Sequence, residues 1–326
     1  MRLSLGMPRI AAFLSSLAVV FGAHAASAQD LPKNKPIKII VGFSAGGALD
    51  LTARIVADQL SKNLGQSVVV DNRPGAGGNI AQDVVASSPP DGSTILFGTI
   101  GSLTINPHLM TLAHDPIRDL APITMGVDFP NVLVVGADVG VKTLKEYVEL
   151  SRKQPLDFAS SGIGSASHMA GELFNQRAGL NNIHVPYKGG SQAIVDLLAG
   201  RVAAYYATPA TALPYIKSGQ LVALATTGLE RTALLPDVPT VSESGFPGFQ
   251  ATNWYAFVAP AKTPPAILDR LNQEFVKVLK MPDVQEKLSE QGLTPLPQTR
   301  NQLGAFIAKE SAAWGQIIKD RHIVLQ

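Results

Sequence analysis

A chain of 326 residues with 16% charged residues and a formal net charge of only +2 lacks the basic footprint that nucleic-acid binding leaves. The excess sits in Arg2 and Arg9; without residues 1–28 the 27 basic residues fall to 25, equal to the 25 acidic ones, which also argues against electrostatic docking on anionic lipid. There is no cysteine, so disulfides, thiol nucleophiles and thiolate metal sites are excluded.

The first segment reads as an export signal. Arg2 and Arg9 give a positive start, and residues 10–22 are apolar apart from Ser15 and Ser16. That stretch is shorter than the ~20 residues a permanent span needs. Ala26-Ser27-Ala28 offers small residues where a signal peptidase reads. Ala23-His24-Ala25 is a second match, so the cut falls after Ala25 or Ala28. Ala28 is preferred, because the polar Gln29-Asp30 follows. A mature chain of roughly 300 residues is long enough for about two domains.

Next come alternating strands and helices. Residues 37–43 read as a buried strand. Leu51, Ile55, Val56, Leu60 and Leu64 recur at helical spacing, and Gly65 follows as a C-cap. Residues 67–70 form a second strand, 80–86 a short helix and 94–97 a third strand after the turn Pro89-Pro90-Asp91-Gly92. A β-α-β-α-β run of this kind predicts parallel pairing. The pattern resumes with a strand at 132–135, a helix at 144–152, a strand at 157–160 and a helix at 168–177. Segments 184–187, 193–198, 202–206 and 221–225 continue it. A strand at 254–258 precedes three helical segments, the last over about 302–319. The fold class is α/β, with two sheets.

Two loops carry the chemistry. Gly42-Phe43-Ser44-Ala45-Gly46-Gly47-Ala48-Leu49-Asp50 follows the first strand and opens the first helix. Its glycines allow a sharp turn and close approach to a ligand. Free N–H groups at the helix start, together with the dipole, make an anion site, and Asp50 in the first turn favours the helix. Ser160-Ser161-Gly162-Ile163-Gly164-Ser165-Ala166-Ser167-His168 makes a second strand-to-helix junction. Ser165 or Ser167 caps that helix, and the rest of the cluster suits a polar pocket wall. His168 reads as structural or ligand-adjacent.

Other readings of the first loop compete. A tight turn with no ligand is the plainest. Gly42-x-Ser44-x-Gly46 matches a hydrolase nucleophile elbow with Ser44 as nucleophile, but only one strand precedes it. The dinucleotide spacing G-x-G-x-x-G and the P-loop Gly-Lys-Ser/Thr are both missing. The turns at 72–79 and 187–191 are weaker candidates for ligand contact. The six histidines are scattered, with no pair at metal-ligand spacing, so neither a metal nor a cofactor is expected.

Taken together, these stretches resemble the tripartite tricarboxylate transporter receptor family, also called Bug receptors. The resemblance covers nearly the whole mature chain. It rests on Lys35-Pro36-Ile37 through Asp50, Asp71-Asn72-Arg73-Pro74-Gly75-Ala76-Gly77-Gly78, Asp91-Gly92-Ser93-Thr94, Ile105-Asn106-Pro107 and Pro130-Asn131-Val132-Leu133-Val134-Val135. It continues through Ser161-Gly162-Ile163-Gly164-Ser165, His168-Met169-Ala170-Gly171-Glu172-Leu173-Phe174, Val185-Pro186-Tyr187-Lys188-Gly189-Gly190 and Leu235-Pro236-Asp237-Val238-Pro239-Thr240-Val241. Single pieces are weak; their order and spacing are specific.

The resemblance implies a type II periplasmic binding protein. Such a fold has two lobes with mixed or parallel sheets and flanking helices, joined by two crossing strands near 130–135 and 253–258. Domain 1 would be 29–130 plus 256–326, and domain 2 would be 131–255. The implied function is a monomeric, non-enzymatic periplasmic receptor that hands a small di-, tri- or aromatic carboxylate to a membrane permease. A receptor signalling to a sensor protein and the Ser44 hydrolase remain as alternatives. In this family the carboxylate is held by backbone N–H groups and waters from loops matching Phe43, Ser44, Ala45, Gly46 and Gly47, and Ser160, Ser161, Gly162, Gly164 and Ser165, with His168 nearby. Many relatives carry an aspartate after the stretch matching Gly200-Arg201-Val202. Here Ala203-Ala204-Tyr205-Tyr206-Ala207-Thr208 has no acid. A non-amino ligand is therefore expected, with Tyr206, Thr208 or Trp254 near its far end.

Overall fold

The computed structural model describes Met1, residues 31–320, Ile323 and Val324. The export signal expected over 1–28 lies outside the described residues, apart from Met1.

In the first half, β1 (Ile37–Val41) leads into α1 (Ala48–Leu64), which ends where Gly65 takes a left-handed φ of 61° and donates its N–H to Ser61. β2 (Val68–Asn72), α2 (Asn79–Ala86) and β3 (Thr94–Thr99) follow. The chain then makes a π-helical turn over Gly101–Ile105 and runs on into α3 (Asn106–Leu109). Helix α4 (Pro116–Asp119), capped by Asp115, introduces the long strand β4 (Leu120–Pro130).

The second half opens with β5 (Val132–Gly136). Helix α5 (Leu144–Lys153) starts at a capping box between Thr143 and Glu146, which satisfies two otherwise orphan N–H groups. Then come β6 (Asp157–Ser160), α6 (Ala166–Ala178), β7 (Ile183–Pro186), α7 (Gly190–Leu198), β8 (Ala204–Ala207), α8 (Pro209–Lys217) and β9 (Leu221–Thr226). The chain returns through β10 (Thr252–Pro260), α9 (Pro265–Leu279), α10 (Pro282–Ser289), β11 (Thr294–Pro295) and α11 (Arg300–Asp320).

These strands form two mixed sheets, ordered β11-β4-β10-β3-β1-β2 and β7-β6-β8-β5-β9. In the first, β1 runs parallel to β2 and β3, while β10 is antiparallel between β3 and β4. In the second, β6 runs parallel to β7 and β8, while β5 is antiparallel between β8 and β9. Each sheet therefore has three parallel strands, then an antiparallel strand beside a fifth. Parallel strands need both faces covered, and each sheet is covered on both. One face of the first packs α1, α9 and α10 and the other α2, the π-turn and α11. The second packs α5 and α6 on one face and α7 and α8 on the other.

The chain leaves the first sheet at Asn131, the one residue between β4 and β5. It returns between Thr226 and Thr252, so β10 pairs with β4 from Thr252 onward. The two crossings are tied together. Thr227 N–H donates to Asn131 O, Asn131 N–H to Thr227 Oγ1, and Thr227 Oγ1 to Ala251 O, at 2.9, 2.9 and 2.7 Å. No helix among the described residues is long and apolar enough to cross a membrane.

Gly126 in β4 shows how tightly the first sheet is packed. A Cβ there would lie 2.8 Å from the Phe97 ring and 3.1 Å from the Tyr255 carbonyl. Phe97 is itself stacked on Phe257 at 4.1 Å. Gly126→Val should lower unfolding free energy by about 1–3 kcal/mol, the usual cost of overpacking, measured by urea denaturation.

Candidate ligand-binding site

The candidate site is a cavity between the lobes, at the ends of the parallel strands. Binding crevices of open α/β sheets form there, because the helices that follow those strands start there. From the first lobe, Phe43, Ser44, Gly47, Ala48 and Leu49 line it, with Thr99 beside them. Ser161, Ser165 and Ala166 close a second side and Gly190 a third. Tyr205, Thr208, Thr211, Asn253 and Tyr255 form the far wall. The cavity holds about 40 Å³.

No carboxylate, ammonium, guanidinium or imidazole is among the lining groups. Instead, helix N-termini converge. Gly47 caps α1 and Gly189 caps α7 without a side chain, so the first N–H groups of both helices stay uncapped. Among the described residues, the N–H groups of Ala48, Leu49, Ala166 and Gly190 have no acceptor. The fourth helix, α8, begins at Thr208 and Pro209. Each N-terminus carries about half a positive charge, so the cavity suits an anion without any cationic side chain.

Local interactions hold these ends in place. Asp50 is buried, at 2% exposure. It accepts from Gly46 N–H at 2.9 Å, Asn72 Nδ2 at 3.0 Å and Arg54 Nε at 3.0 Å. Asn72 Nδ2 also donates to Phe43 O at 3.0 Å. The first loop is thereby clamped against β2. In the second loop, Ser165 Oγ accepts the His168 N–H, and Ser167 Oγ accepts the Ser161 N–H and meets the hydroxyls of Ser161 and Ser165.

The two lobes touch around the cavity. Ser44 N–H and Oγ both donate to Lys188 O, at 3.4 and 3.0 Å. A Cβ on Gly77 would lie 2.5 Å from Ile163 O, one on Gly101 2.5 Å from Gly164 O, and one on Gly164 on top of Asn106 Oδ1. Only hydrogen fits at these places.

Of the residues expected from sequence, Phe43, Ser44, Gly47, Ser161, Ser165 and Thr208 line the cavity. The others lie elsewhere. Ala45 and Gly46 are exposed, and the Gly46 N–H is taken by Asp50. Ser160 is buried, with its hydroxyl on His184 Nε2 at 2.5 Å and Gly162 O at 3.1 Å. Gly162 and Gly164 belong to the lobe contact. His168 supports the loop from behind. Its Nδ1 accepts the Gly164 N–H at 3.2 Å, and its ring stacks on His184 at 3.8 Å. Burial pushes its pKa down to about 4. Ser44 has a carbonyl as partner, and no imidazole reaches it.

Tyr206 and Trp254 are corrections. The far wall uses Tyr205, Asn253 and Tyr255, because side chains alternate along a strand. Tyr206 turns into the core under α5 and α6, and Trp254 packs on Phe306 of α11. Tyr206 would share a face with Thr208 only if the strand ran on, but β8 stops at Ala207.

Asp50 makes this geometry pH-sensitive. Burial raises its pKa, but the Arg54, Gly46 and Asn72 hydrogen bonds outweigh that and hold it below the ordinary carboxylate value. A depressed folded pKa gives stability that is present above the unfolded value of ~3.9 and lost as pH falls through the folded one. Urea unfolding from pH 7 downward should show this loss in the wild type. In Asp50→Asn that part of the pH dependence should be absent, and stability at pH 7 should be lower.

The chain also matches known proteins over most of its length. The family model described as tripartite tricarboxylate transporter family receptor matches residues 52–323. Protein BugT of Bordetella pertussis (strain Tohama I) is 36% identical over 320 residues, covering 97% of this chain and 98% of BugT. The solved periplasmic binding protein BugD superposes with a TM-score of 0.86 at 32% identity, over 90% of this chain and 99% of BugD. R. palustris Rpa4515, solved with adipate, gives 0.87 at 32% identity over the same shares. The chain therefore belongs to the tripartite tricarboxylate transporter receptor family, a family of two-lobed periplasmic solute-binding proteins.

Proposed function

We propose that this receptor captures a small carboxylate in the periplasm and presents it to the membrane permease of a tripartite tricarboxylate-type transporter. It would work as a monomer, after removal of the export signal. The carrying observation is the set of unclaimed N–H groups at Ala48, Leu49, Ala166 and Gly190, facing a cavity with no ionic side chain. A carboxylate accepts several such hydrogen bonds, and water bridges tolerate different ligand skeletons. The adipate held by Rpa4515 supports the same ligand class here.

The lobes we assign are 29–130 with 256–326, and 131–255, with Thr252–Tyr255 as the entry of β10 into the first sheet. The hydrogen-bonded crossings at Asn131, Thr227 and Ala251 are the pivot. Phe43, Ser44, Gly47, Ser161, Ser165 and Thr208 face the ligand, and Gly162 and Gly164 let the lobes shut. No acid among the lining residues stands ready for an amino group.

A thermal-shift screen tests this. A carboxylate at one hundred times its Kd should stabilise the mature protein by about 2.7 kcal/mol. No shift with any mono-, di- or tricarboxylate would sink the reading. Gly164→Ala should fold yet lose the shift at least tenfold in ligand concentration, because its methyl meets Asn106 before the lobes close.

A further inference from the structure

Two imidazoles stand behind the second ligand loop, outside the lining of the ligand cavity. His168 of α6 and His184 of β7 stack at 3.8 Å, with 20° between their planes. Each ties the loop down. His168 Nδ1 accepts the Gly164 N–H at 3.2 Å. His184 Nε2 meets Ser160 Oγ at 2.5 Å, and that hydroxyl accepts the Gly162 N–H at 3.1 Å. The loop so held carries Ser161, Ser165 and Ala166 to the cavity and Gly164 to the first lobe.

An acceptor at Nδ1 fixes where the ring holds its hydrogen. Neutral His168 carries it on Nε2, which faces Glu172 Oε1 at 3.8 Å. A second proton must go on Nδ1, where it meets the Gly164 N–H donor to donor. Solvent reaches the rings without passing the ligand. A second cavity of about 460 Å³ is lined by His168, Glu172, His184 and Asn175, and among the described residues it shares no lining residue with the first. Glu172 is the one charged group among those described lining residues. Strand β6 brings Phe158 and Ser160 to His184, and Tyr206 of β8 lies near Glu172. The first lobe adds Ile323 and Val324 to the cavity and the neutral Asn106 against Gly164.

Resting on the receptor reading, we propose that His168 is a positioning residue whose neutral ring keeps the loop in its binding shape, and that one proton on the His168–His184 pair releases the loop and weakens solute binding. Like charges 3.8 Å apart repel, so the pair takes one proton first, and Glu172 favours His168 as its place. With the loop held, burial keeps His168 down to about 4; burial and then the His168 charge keep His184 down to about 3. With the loop released and the ring wet, His168 returns toward the ordinary ~6.5. The released form therefore binds the proton more readily. The binding shape loses ground as pH falls from ~6.5 to about 4, and the loss levels off below that.

Histidine-selective nitrogen NMR of the mature wild-type protein tests the ring directly. Above pH 6, His168 should carry a proton on Nε2 and none on Nδ1, and it should titrate well below ~6.5. Protection of the Gly164 amide, corrected for intrinsic exchange, should fall as pH drops from 7 to 4.5. Titration with adipate, the solute held by Rpa4515, supplies the binding arm. His168→Leu removes the acceptor and should weaken binding at pH 7 by about tenfold, the effect of a buried N–H left without a partner. His168→Asn places Oδ1 where Nδ1 stood and does not titrate, so it should recover most of that loss. Between pH 7 and 4.5 the wild type should lose about fivefold more affinity than His168→Asn; the comparison cancels the titration of adipate and of Asp50. A proton on Nδ1 above pH 6, an ordinary titration of His168, or the same pH profile in wild type and His168→Asn overturns the proposal while leaving a carboxylate receptor. Failure of adipate and every other carboxylate to bind overturns the receptor reading, and the ring and exchange measurements still decide whether a proton releases the loop.

Discussion

The site depends on helix N-termini supplying positive potential where no side chain does. A backbone N–H cannot reach out as an arginine can, so the helix itself must be aimed and the loop before it must turn out of the way. Gly47 and Gly189 cap α1 and α7 with no side chain over the first N–H groups. Asp50 sits in this electropositive place without dominating it, because Arg54 pairs with it and Asn72 and Gly46 occupy its oxygens. Its charge is spent on holding the loop.

The topology does the aiming. In both sheets a central parallel strand feeds a helix that starts at the cleft: β1 into α1, and β6 into α6. In both, an antiparallel strand fills the fourth place, β10 in one and β5 in the other. Those two strands adjoin the crossings, so the elements that link the lobes also brace the parallel strands. Two copies of one plan, facing each other, bring donors from opposite sides to one small volume. Neither lobe alone forms the site.

Much of this was legible in the chain. The spacing of Leu51, Val56 and Leu60 and the stop at Gly65 place α1 within a few residues of its observed ends. The serine-rich loop after residue 160 does supply Ser161 and Ser165 to the cavity. The far wall was misread by one residue twice, with Tyr206 for Tyr205 and Trp254 for Asn253. Strands buried on both faces show no polar-apolar alternation, so their parity is hidden in the sequence. A large aromatic then draws attention whichever way it points. The π-turn at Gly101–Ile105 was missed for a similar reason. Its run Gly-Ser-Leu-Thr-Ile has no helical stripe, and what it packs against lies far off in sequence: a Cβ on Gly101 would lie 2.5 Å from Gly164 O of the second lobe.

That contact bears on how binding and shape are linked. The seam between the lobes is closed by glycines meeting carbonyls, and its hydrogen bonds across the cleft are few, chiefly those from Ser44 to Lys188 O. It also carries a penalty. Asn106 Oδ1 is pressed against Gly164 of the opposite lobe and has no partner, a burden of about 1–3 kcal/mol for a buried acceptor. Parting the lobes would return that oxygen to water. The seam also buries Ala166 and Met169 of α6 against the core of the first lobe, so polar bridging of the two lobes adds to an apolar contact. A solute that engages α1 on one side and α6 and α7 on the other favours only the closed arrangement, and can shift the equilibrium by no more than that difference in affinity.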